Sequence, residues 1–156
     1  MRGRRIGRAL DGLGDRRGVL LVQLSPLFAA DEARLAYFLA HVPPGLDVAV
    51  EMRHASWHRE SIFALLRHHG AAACVMSGAG LPCVLRATAR VVYVRLHGPN
   101  PQYLYGGSYS EADLRWWAAR IEEWERARHE VFVYFNNDRE GHAVRNAAAL
   151  RRILGA

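Results

Sequence analysis

The stretch GVLLVQLSPLFAADEARLAYFLA, residues 18–40, joins an apolar run to a segment with helical periodicity. The run Gly18–Leu24 is short and rich in Val and Leu, which is typical of a buried strand. Ser25-Pro26 interrupts it. Between residues 31 and 40, apolar residues recur at helical spacing at Leu35, Phe38 and Leu39. The stretch therefore predicts a strand followed by a helix.

The same alternation continues to the end of the sequence. Further strands are predicted at Val48–Met52, Ala71–Met76, Val91–Leu96 and Val131–Phe135. Between the third and fourth strands the connection is short, and a helix is only weakly indicated there. Near-continuous apolar strands that alternate with helices predict a parallel sheet covered on both faces. An open doubly wound sheet and a barrel both fit this pattern.

Capping residues predict where three of the helices begin. Ser56 is expected to cap the second helix, and Asp138 the last one. Ser110 and Asp113 have the spacing of a capping box. The helix that follows them carries one apolar face, made of Leu114, Trp117, Ala118, Ile121 and Trp124.

Composition limits the class of protein. The 156 residues, 51% of them hydrophobic, suit one globular domain and exclude disordered and collagen-like chains. No apolar run approaches the about 18 residues that span a bilayer, and no signal-peptide block follows the Arg-rich start, so we expect a cytoplasmic protein without a membrane partner. Cys74 and Cys83 lack a CxxC partner and are expected to be buried free thiols. The 21 basic residues are all Arg, so compositional bias explains the net charge of +6, and nucleic acid is a weakly supported partner.

Strand parity selects one set of polar residues. Successive strand residues face opposite sides, and the helix-facing set must be apolar. The other side then holds Gln23, Glu51, Arg53, Arg95, His97 and Asn136. We expect these six residues to converge near the carboxyl ends of the strands, where parallel α/β proteins place their functional groups.

The chemistry of this set favours an anionic ligand. Arg53 and Arg95 offer planar donor forks that suit a carboxylate or a phosphate. Glu51 and His97 are candidate catalytic residues, because a carboxylate and an imidazole can form an acid/base pair. The alternative is a structural ion-pair network in which the Arg and Glu charges neutralise one another.

Further candidate residues follow the last two strands. Asn137, Asp138 and His142 surround a helix N-terminus, which is a common phosphate-binding position, although an ordinary capped helix explains them as well. Tyr105 lies beside Gly106-Gly107 in a candidate lid loop that would cover a bound ring or sugar, or else simply packs the loop. No His, Cys, Asp or Glu spacing is diagnostic of a metal, so no cofactor is predicted, with a divalent metal as the alternative.

Five motifs carry a resemblance to a known family. They are VQLSP (22–26), VEMRHASW (50–57), VYVRLHG (92–98), LYGGSYS (104–110) and VYFNNDREGHAVRNA (133–147). Together they resemble the YecE-like family, also called domain of unknown function seventy-two. The resemblance implies a TIM-type (β/α)₈ barrel, of which this chain would be the C-terminal portion with strands four to eight. Residues 1–156 would then form one incomplete domain, with 1–17 the end of a preceding helix and its loop and 18–154 the five βα units.

The implied incompleteness leads to two hypotheses on function. A complete barrel needs roughly 250 residues, and five strands leave two open edges, so we expect a truncated chain that needs the missing N-terminal segment or self-association. The resemblance also implies an acidic residue at the end of the sixth strand, where this chain has Ser77-Gly78. One hypothesis is binding or processing of a phosphate-like or sugar-phosphate-like ligand, or of a nucleic-acid phosphoester. The other is a non-catalytic anion-binding or interaction protein, or an inactive copy.

Overall fold

The computed structural model describes Gly12, Gly14 and residues 18–155. The described residues form a mixed α/β fold with two small parallel sheets and four helices. The strands are β1 (Leu20–Gln23), β2 (Val48–Glu51), β3 (Ala72–Ala73), β4 (Val75–Ser77), β5 (Val91–Leu96) and β6 (Glu130–Phe135). The helices are α1 (Glu32–Ala40), α2 (Glu60–His68), α3 (Glu111–Arg126) and α4 (His142–Leu154). The prediction of a helix end and loop in residues 1–17 lies outside the described residues, except at Gly12 and Gly14.

The two sheets share one stretch of chain. Their strand orders are β1-β2-β3 and β4-β5-β6, and every pairing is parallel. The single strand predicted at residues 71–76 is divided at Cys74, whose backbone N–H donates to Val50 O at 2.9 Å. Immediately after it, Val75 pairs with Val94 of the other sheet. Residues 72–77 therefore run as one extended segment from the first sheet, which contains β3, into the second, which contains β4.

The connection between β4 and β5 contains no helix among its residues 78–90, all of which are described. A buried threonine in this connection, Thr88, bonds to the backbone at β3 through its side chain. Thr88 Oγ1 accepts from Ala73 N and donates to Ala71 O, each at 2.7 Å. These bonds satisfy two backbone groups of β3 and the residue before it, which would otherwise be buried without partners.

Helix α3 confirms its predicted start and apolar face. Ser110 and Asp113 form a reciprocal capping box, and Leu114, Trp117, Ala118 and Ile121 are buried. The expected cap at Ser56 is wrong, since α2 begins after Arg59 and Ser56 lies in a short 3₁₀ turn at Ala55–Trp57. Its hydroxyl instead accepts from Ala30 N at 2.8 Å, which ties that turn to the loop before α1.

The expected cap at Asp138 is also wrong. Asp138 precedes a 3₁₀ turn at Arg139–Gly141 and makes no capping hydrogen bond through its side chain. Glu140 and Gly141 take left-handed backbone conformations, with φ of 56° and 70°, and these break the path between Asp138 and the helix. Helix α4 consequently starts at His142.

Strand parity is confirmed by the packing. Val48, Val50 and Met52 are buried with apolar residues of α1 and α2, such as Leu35 and Leu66. On β5, Val92, Val94 and Leu96 pack with residues of α3 and α4 in the same way. The opposite face forms a separate cluster of Ala49, Ala72, Cys74, Met76, Val91 and Tyr93. Cys74 is thus a buried free thiol as predicted, whereas Cys83 lies in the exposed connection after β4, so the prediction of burial is wrong for Cys83. Among the described residues, none of the helices has the length and apolar character needed to cross a membrane.

Candidate functional site

Polar side chains collect where the parallel strands end. Gln23 and Glu51 are the last residues of β1 and β2, and the two strands pair in register at these residues. Arg95 lies near the end of β5, and Asn136 directly follows β6. Since parallel strands end at one edge, these residues converge with three others; we call the set the strand-end cluster, made of Gln23, Glu51, Arg53, Arg95, His97, Tyr105 and Asn136.

Glu51 lies at the centre of the cluster and is fully buried. Its Oε1 accepts from Arg53 Nε at 2.6 Å, and its Oε2 accepts from Arg95 Nη1 at 2.5 Å. Each carboxylate oxygen thus bonds to a different guanidinium group. Because charge-assisted bonds of this kind are strong, Glu51 is held in place as an anion between two cations.

Arg95 links residues from two other strand ends to Glu51. Its Nη1 also donates to Gln23 Oε1 at 2.9 Å, and its Nε donates to Asn136 Oδ1 at 3.1 Å. Burial disfavours the charge of Arg53, but hydrogen bonds to Glu51 and Tyr105 outweigh it, so the pKa of Arg53 is raised. The cluster therefore carries two permanent positive charges against one carboxylate.

His97 lies beside this ion-pair network without joining it. Its side chain is fully buried, and neither ring nitrogen has a hydrogen-bond partner among the described residues. The nearest carboxylate oxygen, Glu51 Oε1, lies 3.8 Å from Nε2. Burial lowers the pKa of His97 to about 4, an effect that Glu51 opposes and that Arg95 and Arg53 reinforce. At neutral pH the ring is uncharged, with one donor and one acceptor nitrogen.

The loop after β5 closes over His97. Tyr105 N donates to His97 O at 2.6 Å, and the Tyr105 ring meets the imidazole edge to face at 5.2 Å. The Tyr105 hydroxyl accepts from Arg53 Nη2 at 3.1 Å. At the base of the loop, Gly98 has a φ of 103°, and a Cβ there would lie 2.3 Å from Gly106 O. Only glycine fits that close approach.

A cavity of about 610 Å³ lies between this loop and the residues that follow β6. Its walls include Tyr103, Tyr105, Asn136, Asp138 and Arg139. Two members of the strand-end cluster, Tyr105 and Asn136, therefore border space that a small molecule would fill.

Three predicted site residues lie outside the cluster. Asn137 is buried and points the opposite way, with Nδ2 donating to Gly107 O at 2.9 Å and to Asn146 Oδ1 at 2.8 Å. Asp138 is exposed at the cavity wall. His142 begins α4, where its ring contacts Arg145 and Glu140. A phosphate-binding role for these three residues stays a prediction.

Sequence reasoning missed the importance of Asn146 and Tyr109. The Asn146 Oδ1 accepts from Tyr109 N at 3.2 Å, and its Nδ2 donates to Ser108 Oγ at 3.1 Å. The Tyr109 hydroxyl accepts from Gly98 N at 3.0 Å and lies 3.4 Å from Ser77 Oγ. The available signal was that Asn146 shares the buried face of α4 with apolar residues, where an amide needs partners. We call Asn137, Asn146, Tyr109, Ser108 and Ser77 the amide network.

Metal-binding side chains do not converge in the part of the chain that the structure describes. Nowhere in it do three His, Cys, Asp or Glu side chains come together as a potential metal site. Within the cluster, the two guanidinium groups occupy both oxygens of Glu51, the one carboxylate that His97 approaches.

These features define a class: a parallel α/β protein with a charged, partly buried site at the carboxyl ends of its strands. The chain belongs to the family described as protein of unknown function DUF72, whose model matches residues 3–156. This confirms the family identified from the sequence. It does not bear out the expectation that the resemblance concerns only the family's C-terminal portion.

Individual relatives agree with this assignment. The chain is 28% identical over 163 residues to the UPF0759 protein YunF of Bacillus subtilis strain 168. The match covers 87% of this chain and 57% of that protein. It thus spans little more than half the length of that curated relative. A crystal structure of a DUF72 family protein from Thermotoga maritima MSB8 matches with a TM-score of 0.86 and 27% identity, over 98% of this chain and 64% of that one. A DUF72 family protein from Enterococcus faecalis V583 has the same fold, with a TM-score of 0.86 and 20% identity over 100% of this chain and 67% of that one.

Proposed function

We propose that the strand-end cluster binds a small anionic ligand of the phosphate or sugar-phosphate type. The observation that carries the proposal is the charge balance, with two guanidinium groups facing one carboxylate. The surplus positive charge is largely shielded from water, because the side chains of Arg53 and Arg95 are only 9% and 13% exposed. A partly desolvated cation gains more from an anionic partner than one in water does.

The donor geometry supports the same conclusion. Among the described residues, no hydrogen-bond acceptor engages Arg53 Nη1 or Arg95 Nη2. Each guanidinium group thus keeps donors for a ligand after it has bound Glu51. Gln23 and Asn136 add neutral amides beside Arg95, which suit the hydroxyl groups of a sugar.

The finer architecture is part of this proposal. Residues 72–77 join the two sheets, so five parallel strand positions follow one another from β1 to β6. We propose that they form an arc of a TIM-type barrel, in which ligands bind at the carboxyl ends of the strands.

A proton-transfer role falls to His97 better than to Glu51. The uncharged imidazole has both nitrogens available, whereas both Glu51 oxygens already accept from guanidinium groups. This full engagement of Glu51 also favours the second candidate function, a non-catalytic anion-binding protein in which Glu51 only positions the two arginines.

Calorimetric titration with three related compounds tests the proposal. We expect glucose 6-phosphate or glucuronate to bind and glucose to bind much more weakly. Replacing Arg95 (Arg95→Ala) should weaken anion binding by about tenfold to a hundredfold, because a charge-assisted hydrogen bond is lost. The control Arg126→Ala removes an exposed arginine of α3 and should leave affinity unchanged. The proposal fails if no anion binds, or if both variants bind as the wild type does.

The same titration distinguishes a nucleic-acid phosphoester from a small ligand. An oligonucleotide that binds with a steep dependence on salt concentration would point to the phosphoester, since counterion release drives such binding. Binding of the small anions with little competition from the oligonucleotide would support the small-ligand proposal.

A further inference from the structure

One side chain, that of Tyr105, contacts the buried imidazole of His97 and also borders the neighbouring cavity. Tyr105 borders the cavity of about 610 Å³, whereas His97 does not contribute to its walls and is fully buried. The Tyr105 ring packs edge to face on the imidazole at 5.2 Å. We infer that Tyr105 is a gating residue: its ring occludes His97 in the ligand-free protein and has to turn away before His97 can contact any ligand.

The backbone around Tyr105 is fixed, so the movement belongs to the side chain. The N–H groups of Tyr105 and Gly106 donate to His97 O and Tyr103 O, at 2.6 and 3.1 Å. The close approach of Gly98 to Gly106 holds the base of the loop. Tyr105 is 40% exposed and borders the cavity, so its ring has space to rotate about the side-chain bonds. Rotamer changes of exposed side chains need no rearrangement of the fold.

One hydrogen bond holds the gate closed. The Tyr105 hydroxyl accepts from Arg53 Nη2 at 3.1 Å, so it occupies a donor that an anionic ligand would also use. A ligand that takes this donor releases the ring. This step rests on the proposed function, whereas the occlusion of His97 in the free protein does not.

The closed state leaves His97 with two unsatisfied nitrogens. Buried polar atoms without a protein partner are rare in folded proteins, and a functional role is one of the reasons for which they occur. Turning the ring would admit such a partner. The charged groups around the imidazole are Glu51 from β2, Arg53 just after β2 and Arg95 from β5, and all three stay in place when Tyr105 turns.

Acylation of His97 by diethyl pyrocarbonate measures its access without any ligand. Trypsin cleavage after Arg95 and Arg115 releases residues 96–115, in which His97 is the single histidine. Fragment-ion mass spectrometry of this peptide separates acylation of His97 from acylation of its tyrosines. In Tyr105→Ala we expect acylation at least about tenfold faster than in the wild type, because opening no longer limits access. The pKa of His97, followed by NMR, should rise from about 4, since its burial is relieved.

Two further variants make the test specific. Tyr103→Ala removes a tyrosine that is 64% exposed and borders the same cavity without a ring contact to His97, and it should leave the acylation rate unchanged. Tyr105→Phe keeps the ring and loses the bond to Arg53, so its rate should fall between those of the wild type and Tyr105→Ala. If the alanine variant does not fold, the acylation rate of Tyr105→Phe is compared with that of the wild type instead.

The inference is overturned if His97 in the wild type reacts as fast as in Tyr105→Ala, or if Tyr103→Ala accelerates it equally. Where Tyr105→Ala is unfolded, a Tyr105→Phe rate equal to that of the wild type has the same effect. Slow acylation of the wild type with no anion binding would instead refute the proposed function alone.

Discussion

Asn136 and Asn137 adjoin in the sequence, and their side chains serve two different polar regions. Asn136 accepts from Arg95 in the strand-end cluster, which holds full charges and borders a cavity. Asn137 turns to the other side of the chain and joins the amide network, which is uncharged and connects the loop after β5 to α4.

The two regions differ in charge and in how many of their donors remain free. In the strand-end cluster, strong ion pairs coexist with free donors and with the unpartnered His97. In the amide network, Asn146 bonds to Tyr109, Ser108 and Asn137 together. Among its described members, Asn137 Oδ1 is buried without a partner, but the network carries no charged group. A region of neutral, mostly paired amides and hydroxyls offers an anion less than one that keeps charged donors free. Changes to the two regions should therefore have different consequences.

The largest loss of stability should come from the charged region. In Glu51→Gln the two guanidinium groups keep their positions and lose their shared counter-charge. We expect the free energy of unfolding to fall by about 3 to 5 kcal/mol, since a buried ion pair that loses one partner leaves an uncompensated charge. Urea denaturation measures the change. The control Glu122→Gln alters an exposed residue of α3 and should shift stability by less than about 0.5 kcal/mol. Equal effects of the two variants would contradict a central role for Glu51.

The next largest effect is a dependence of the free energy of unfolding on pH, which comes from His97 in the strand-end cluster. Burial lowers the pKa of His97 to about 4, from 6.5 in the unfolded chain, so the unfolded state binds more protons between these values. Stability from this residue is complete above about pH 6.5 and is lost as the pH falls toward 4. Between pH 7 and 4, the free energy of unfolding should drop by about 3 kcal/mol more in the wild type than in His97→Gln.

Chemical denaturation across this pH range measures both proteins. As a control, His68→Gln replaces an exposed histidine of α2 and should keep the wild-type pH dependence. Parallel curves for the wild type and His97→Gln would show that the buried imidazole is not protected from protonation.

The smallest effects separate the two regions most directly. Asn146→Ala should lower the free energy of unfolding by about 2 kcal/mol, because buried partners lose their bonds, and anion affinity should not change. Asn136→Ala should cost only about 1 kcal/mol, since Asn136 is half-buried. It should nevertheless weaken anion binding, because the Arg95 guanidinium loses the partner that fixes its Nε in position. Thermal melts and calorimetric titration of both variants test whether Asn146→Ala has the larger effect on stability and Asn136→Ala the larger effect on affinity. If Asn146→Ala weakened binding as much as Asn136→Ala, the two regions would not be independent.

The strands and the faces of their side chains could be predicted because both depend on local alternation. Apolar residues must face the helices, so the other residues of each strand face the opposite side. Alternation alone thus predicts that Gln23, Glu51, Arg95 and Asn136 lie together. The pattern could not decide between an acid/base pair and an ion-pair network, since that depends on distances between strands. The structure shows Glu51 bonded to two arginines and His97 left out.

Helix starts and the loop contacts depended on tertiary structure. Asp138 has the right residue type for a cap, but the left-handed turn at Glu140 and Gly141 moves the helix start to His142. The direction of Asn137 and the position of Tyr105 over His97 follow from how the loop after β5 folds back. That loop has no periodicity from which its path could be predicted.

The close contact of Gly98 with Gly106 also sets where this protein can vary. A side chain at Gly98 would collide with the backbone of Gly106, so position 98 accepts only glycine. Gln102 and Tyr103 at its tip are exposed and can be exchanged without disturbing that contact. The same inner set of charges could therefore be offered to different molecules through changes in a few tip residues. Residues at the tip of the loop can thus diverge in evolution while the charged side chains of the strand-end cluster stay in place.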